Sequence, residues 1–96
     1  MNRKERRDYG ERVVDALGDD PGVFDTVCLD GVDFIVSNVY QRRPFTMVRL
    51  CCTTPTTAYE GLGFSKVCYP DRWSDKYGKQ MALKKATAHI MKQVGK

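Results

Sequence analysis

The sequence predicts an α+β fold in which both helices pack on one face of an antiparallel sheet of three or four strands, in the order α-β-β-β(-β)-α. Three observations lead to this prediction. Apolar residues recur at helical spacing near the amino terminus, an Asp-Gly pair divides two stretches rich in β-branched and aromatic residues, and a lysine-rich amphipathic segment follows the last apolar stretch. We expect a single domain over residues 1–96, because a chain of this length is too short to bury two separate cores.

The first element is a helix from Arg3 to Leu17. Its apolar residues, among them Val13 and Val14, fall on one face, and charged residues fill the other positions. Gly18 is expected to end this helix. The segment Asp19 to Gly22 has the composition of a turn, because its proline cannot continue a helix.

The next two elements are predicted to form a β-hairpin. Residues Val23 to Leu29 and Val32 to Tyr40 have strand composition, and the Asp30-Gly31 pair between them tolerates the positive φ values of a two-residue turn. A polar connection, Gln41 to Pro44, leads to a third strand from Phe45 to Thr53. Apolar residues on both faces of this strand favour a central position in the sheet.

The closing strand and the last helix complete the predicted fold. After a loop from Thr53 to Ala58, the strand is expected to run from Leu62 to Tyr69 and to end at a proline. Ser74 or Asp75 is suited to cap a final helix that continues to about Gln93. The apolar stripe of this helix consists of Ala82, Leu83, Ala86, Ile90 and Val94. Its alanines are small enough for the helix to pack closely on a sheet.

The last third of the chain has a recognisable pattern. A glycine-containing strand ends in a Pro-Asp turn, and a Gly-Lys step opens an alanine-rich helix; the positions are Gly63, Cys68, Pro70, Asp71, Gly78, Lys79, Ala82 and Ala86. This pattern resembles the closing motif of small phage and actinobacterial proteins of unknown function that have a double-stranded-RNA-binding-domain-like fold. The resemblance implies that fold and a phage origin.

The same resemblance implies a way of binding RNA. In RNA-binding members of the fold, lysines at the start of the final helix contact phosphates, and a hairpin loop with a Gly-Pro-x-His pattern enters the minor groove. Lys76 and Lys79 match the first feature, and Lys84 and Lys85 lie farther along the helix. The available loop, Gln41 to Pro44, is basic but lacks both the histidine and the Gly-Pro step.

Charge is distributed unevenly along the chain. Residues 1–40 hold five basic and nine acidic side chains, whereas residues 41–96 hold eleven basic and three acidic ones. A positive field attracts nucleic acids and acidic proteins alike, so it predicts a partner without choosing its class. The alternative is a solvated surface that only keeps the protein in solution.

Aromatic and basic residues cluster where the closing strand meets the last helix. Such side chains stack on bases and neutralise phosphates, but they also form the centres of protein interfaces. Trp73 and Tyr77 can equally fill the corner between helix and sheet. The candidate binding residues are Arg42, Arg43, Arg72, Trp73, Lys76, Tyr77, Lys79, Lys84 and Lys85.

The sequence favours a small non-catalytic protein of phage origin that contacts RNA or DNA through this basic surface. The first alternative is a phage accessory protein that binds an acidic host protein and inhibits or redirects it. A homodimer formed through an exposed sheet edge is a further alternative.

No residue pattern indicates an enzyme, a cofactor or a metal site. The cysteines form no Cys-x-x-Cys pair and His89 is the single histidine, so buried thiols are expected at Cys28, Cys51, Cys52 and Cys68. No stretch is long and apolar enough for a membrane span, and no signal peptide precedes the first helix. We therefore expect a cytoplasmic location, in a bacterial host if the protein is phage-encoded.

Overall fold

The computed structural model describes residues 2–18, 20–66 and 75–94. Over these residues the elements are α1 (Arg3–Leu17), β1 (Thr26–Leu29), β2 (Val32–Arg42), β3 (Phe45–Thr53), β4 (Ala58–Lys66) and α2 (Asp75–Val94). The strands form one antiparallel sheet in the order β1-β2-β3-β4, and the helices pack against it. The predicted α+β class and α-β-β-β-β-α order are confirmed.

Helix α1 has the predicted bounds, and local hydrogen bonds explain both of its ends. The side chain of Asn2 accepts a hydrogen bond from the backbone N–H of Glu5, which satisfies a free donor of the first turn. Gly18 adopts a φ of 88° and donates its N–H to the carbonyl of Val14, as expected of a glycine that ends a helix. Val13 and Val14 are buried against the sheet and α2.

The hairpin between β1 and β2 is confirmed. Asp30 and Gly31 have φ values of 55° and 76°, the positive angles that a two-residue turn requires. The predicted start of the first strand at Val23 is wrong, because β1 begins at Thr26. Phe24 has a φ of 72° and an exposed side chain, so the backbone turns here instead of extending.

Strand β4 begins at Ala58, earlier than the predicted Leu62. The loop before it spans only residues 54–57, because Thr54 and Thr57 close a tight turn: the N–H of Thr57 donates to the Thr54 hydroxyl, and the N–H of Thr54 donates to the Thr57 carbonyl. Thr53 and Ala58 are therefore paired across the hairpin. The predicted end of this strand and the helix cap at Ser74 lie outside the described residues, as do Pro70 and Asp71.

Helix α2 crosses β4 at two glycines that permit close contact. A Cβ atom at Gly63 would collide with the carbonyl oxygen of Ala82, and one at Gly61 would collide with the carbonyl oxygen of Ala86. The backbone of the helix therefore rests directly on the strand. The main core side chains packed around this contact are Phe34, Val36, Val48, Leu50, Leu83 and Ile90.

Two details of the predicted core are corrected. Val94, the last residue of α2, is 39% exposed and does not belong to the core. Cys52 is buried, but Cys51 faces the opposite side of the sheet and Cys28 is exposed, since alternate residues of a strand face opposite sides. These three thiols are free, and burial raises the pKa of Cys52. Cys68 lies outside the described residues.

Neither helix in the described part of the chain is long and apolar enough to cross a membrane.

The Gly63→Ala variant is expected to lose about 3 kcal/mol of the free energy of unfolding, the upper end of the usual cost of overpacking, because the new methyl group meets helix backbone. The Gly22→Ala variant is the control. A Cβ atom at Gly22 would make only ordinary contact, 3.7 Å from an Asp25 carboxylate oxygen, so we expect a change within about 0.5 kcal/mol. Urea titrations measure both changes, and equal midpoints would contradict the close-contact explanation.

Candidate functional site

The two helices form a surface groove of about 800 Å³ on the side of the molecule away from the sheet. They are closely packed, because a Cβ atom at Gly10 would lie 3.2 Å from the carbonyl oxygen of Lys84. Six cationic residues line this helix groove, three from each helix: Arg3, Arg6 and Arg7 from α1 and Lys84, Lys85 and Lys92 from α2. Met81 and Ala88 add apolar surface between them.

The helix groove carries far more positive than negative charge. Glu11 is the single acidic residue among its described lining residues. Arg7 and Lys85 take part in none of the ion pairs formed within the described residues, which are Arg12 with Asp30, Arg49 with Glu60 and Lys79 with Asp20. Like charges that converge in this way repel one another unless anions neutralise them, so the groove is suited to bind a polyanion.

A second group of candidate residues meets at the end of the sheet where β2 joins β3. Arg42 ends β2, and Arg43 lies in the turn that follows. Gly78 packs against Thr46, because a Cβ atom at this glycine would lie 2.7 Å from the threonine hydroxyl, so the first turns of α2 reach the same end of the sheet. Lys76 and Tyr77 belong to these first turns and are exposed, and Lys76 is close enough to Asp20 to help lower the pKa of its carboxyl group.

Lys79 forms an ion pair within the protein and is not fully exposed to solvent. Its ammonium group lies 2.6 Å from a carboxylate oxygen of Asp20, and its side chain is only 18% exposed. This hydrogen bond, together with the charge of Lys79, lowers the pKa of Asp20 below its ordinary value. The ion pair joins α2 to the loop that follows α1.

The structure thus divides the predicted residues between two places. Lys84 and Lys85 lie in the helix groove, whereas Arg42, Arg43, Lys76 and Tyr77 lie at the hairpin end. Arg72 and Trp73 lie outside the described residues.

Sequence reasoning missed the α1 side of the groove. Arg3, Arg6 and Arg7 have the i, i+3, i+4 spacing that places residues on one helix face, which is the signal that could have found them. Counting charge over residues 1–40 concealed this face, because the acidic residues outnumber the arginines there. Lys92 was not among the predicted binding residues either, although it lies one helical turn beyond Ala88 on the same face.

Sequence reasoning also missed a surface on the face of the sheet opposite the helices. A shallow depression of about 520 Å³ lies at the hairpin end of this open face. We call it the sheet platform; its lining residues are Tyr40, Arg42, Arg43, Phe45, Met47 and Phe64. Its three rings come from three different strands, and the available signal was the alternation of Phe45 and Met47 along β3, which places both on one face.

His89 has a contact with the edge strand. Its Nδ1 atom accepts a hydrogen bond from the N–H of Leu62 at 3.1 Å, and nearby Gln93 donates its side-chain N–H to the carbonyl of Glu60 at 2.9 Å. Two outward-facing backbone groups of β4 are thereby occupied, which limits pairing of a further strand at this edge. Nowhere in residues 2–18, 20–66 and 75–94 do three His, Cys, Asp or Glu side chains come close enough to hold a metal ion.

Comparison with known proteins adds no relative. No protein-family model, no curated protein and no solved structure matches this chain. The layout of helices and strands agrees with the predicted order. The likeness to double-stranded-RNA-binding domains and the phage origin stay predictions.

The Asp20→Asn variant is expected to lose less stability in acid than the wild-type protein. Because Lys79 lowers the pKa of Asp20 in the folded state, the unfolded chain binds more protons below about pH 4. The wild type therefore has this stabilisation at neutral pH and loses it as the pH falls through the folded-state pKa. Urea titrations between about pH 6 and about pH 2 measure the difference.

The Asp15→Asn variant is the control for this measurement, because it removes an exposed carboxylate and leaves the pair between Lys79 and Asp20 intact. It should retain the acid dependence of the wild type. An unchanged acid dependence in the Asp20→Asn variant would show that the ion pair does not contribute to folding.

Proposed function

We propose that this chain is a small non-catalytic nucleic-acid-binding protein of phage origin that holds a phosphate backbone in the helix groove. It would act in the cytoplasm of a bacterial host. One observation carries the proposal: six cationic side chains from two different helices converge on one concave surface that has a single carboxylate among its described lining residues. Of the residues proposed from the sequence, Lys84 and Lys85 contribute directly to this site.

The physical basis is the release of counterions. Each cationic side chain that neutralises a phosphate frees an ion condensed on the nucleic acid, so affinity is high at low salt and falls as salt is added. Arginine and lysine serve differently here: a guanidinium can donate two parallel hydrogen bonds to a phosphate, whereas an ammonium acts as a point charge. A groove with arginines on one wall and lysines on the other can contact the phosphates of a nucleic-acid backbone from both sides.

The proposal keeps the likeness to the double-stranded-RNA-binding fold but changes the contact surface. The lysine cluster that the likeness implies at the start of the final helix is reduced, because Lys79 is engaged with Asp20. The hairpin loop lacks the pattern that enters a minor groove. Backbone contacts in the helix groove do not depend on either feature.

The Arg7→Gln and Lys85→Gln double variant is expected to bind nucleic acid about tenfold more weakly at ~50 mM salt, with the slope of log K against log salt reduced by about 2. Fluorescence anisotropy with labelled single-stranded and duplex oligonucleotides measures both quantities. The Lys4→Gln and Arg12→Gln double variant is the control, because it removes the same formal charge and alters no groove residue; the Arg12–Asp30 ion pair that it breaks is exposed and contributes little to stability. It should retain most of the affinity.

Equal losses in the two double variants would show that net charge matters and the groove does not. A wild-type protein that binds neither RNA nor DNA at ~50 mM salt would overturn the proposal. In that case an acidic protein partner becomes the leading hypothesis. Affinity capture from nuclease-treated host lysate tests it, since a partner bound through nucleic acid would be lost.

A further inference from the structure

The open face of the sheet is divided into a polar region and an apolar one. In the polar region, Arg49 donates a hydrogen bond from Nε to the hydroxyl of Ser37 at 3.0 Å and lies 4.0 Å from the carboxylate of Glu60. At the hairpin end the sheet platform begins. Tyr40 and Phe45 are each 51% exposed there, and Phe64 is 60% exposed.

Strand pairing holds these rings in an ordered array. Met47 lies between Tyr40 and Phe64 in one row of cross-strand neighbours, and Phe45 lies in the next row, between Arg42 and Lys66. Phe45 is therefore a diagonal neighbour of both other rings, at a spacing on the order of 7–8 Å. That spacing separates backbone positions, and in the described residues no ring contact joins Tyr40, Phe45 and Phe64, so each ring can contact a separate planar group.

The platform is cationic as well as aromatic. Arg42 and Arg43 line it, and no acidic residue is among its described lining residues. The ammonium group of Lys66 lies 5.5 Å from the centre of the Phe45 ring, which places a positive charge directly beside an aromatic surface. A complementary ligand needs flat apolar groups joined by negative charges.

We infer that the sheet platform binds single-stranded nucleic acid by stacking unpaired bases on Tyr40, Phe45 and Phe64 while Arg42, Arg43 and Lys66 contact the phosphates. Aromatic rings on a sheet stack with bases of any sequence, and neighbouring cations follow the backbone. A duplex cannot use this surface, because its bases are already stacked and paired. The platform therefore adds a preference for single strands.

A second copy of this chain fits the surface less well. Two sheets that pack face to face need apolar residues along their inner faces, whereas the region around Arg49 and Glu60 is charged. The cations at the platform would also repel the same cations on the second copy.

This inference rests on the proposed nucleic-acid binding but concerns the opposite face of the molecule, so the two can fail separately. The Phe45→Leu and Phe64→Leu double variant removes two rings and keeps apolar side chains at exposed positions. We expect affinity for a labelled single-stranded oligonucleotide to fall about tenfold for each ring, with the salt slope unchanged because no charge is removed. Affinity for a duplex of the same sequence should stay within about twofold.

The Leu62→Ala variant is the matched control, since Leu62 is exposed and apolar on the same face of the same strand as Phe64 but has no ring. It should bind single strands as the wild type does. Ultraviolet cross-linking of the wild-type protein to a thymine-rich oligonucleotide, followed by peptide mapping, should identify Tyr40, Phe45 or Phe64. This second measurement does not depend on any variant.

Two results would overturn the inference while leaving the groove proposal intact. In the first, the leucine substitutions change neither single-strand nor duplex affinity, and the cross-links are confined to α1 and α2. In the second, light scattering shows that the wild type is a dimer and that the leucine double variant is a monomer. The platform would then be a self-association surface. Failure of the groove variants to weaken duplex binding would instead count against the groove proposal alone.

Discussion

The direct contact between the backbones of α2 and β4 is the constraint on which the rest of this structure depends. Gly61 and Gly63 have no side chains on the helix side of the strand, and Ala82 and Ala86 face them with small ones. No layer of large side chains separates the helix from the strand. The helix can therefore shift or rotate little relative to the sheet. The apolar core lies beside this contact, between the two helices and the sheet.

Both candidate surfaces follow from that position. Helix α2 lies so close to the edge strand that His89 and Gln93 reach the outward-facing backbone groups of β4. Lys84 and Lys92, which line the helix groove together with His89, face α1 and meet its arginines. With both helices on one side of the sheet, the described residues place no covering layer on the other side, and its apolar hairpin end stays exposed.

The features that sequence could predict are those decided by near neighbours. The turn at Asp30 and Gly31 needs two positive φ values, which these residue types supply locally, and the end of α1 at Gly18 is equally local. The turn at Phe24 was missed because a phenylalanine seldom adopts a positive φ, so composition indicated a strand. The early start of β4 was missed because hydroxyl-rich residues read as a loop, whereas Thr54 and Thr57 close a tight hairpin turn.

The candidate sites were predicted less completely, because they depend on residues far apart in the chain. Lys84 and Lys85 were identified as basic residues, but their partners across the groove, Arg3 and Arg7, are more than 70 positions away. The platform likewise takes residues from three strands, and each strand contributes only one of its exposed rings. Linear charge counts averaged the arginines of α1 with nine acidic residues, of which only Glu11 lines the groove in the described part of the chain.

The two surfaces are connected by the way α2 runs across the molecule. The helix begins at the hairpin end of the sheet, on the face opposite the platform, and passes through the groove toward its carboxyl end. Tyr77, Met81, Lys84 and Ala88 recur at three- and four-residue intervals, so the exposed ring of Tyr77 begins the same helix face that lines the groove. The Cα atoms extend only 18 Å along the shortest axis of the molecule, so under the proposed function a flexible single strand that leaves the platform has a short path to the groove. A rigid duplex cannot bend around the end of the sheet, so the two proposals together imply that a single strand engages both surfaces and a duplex only the groove.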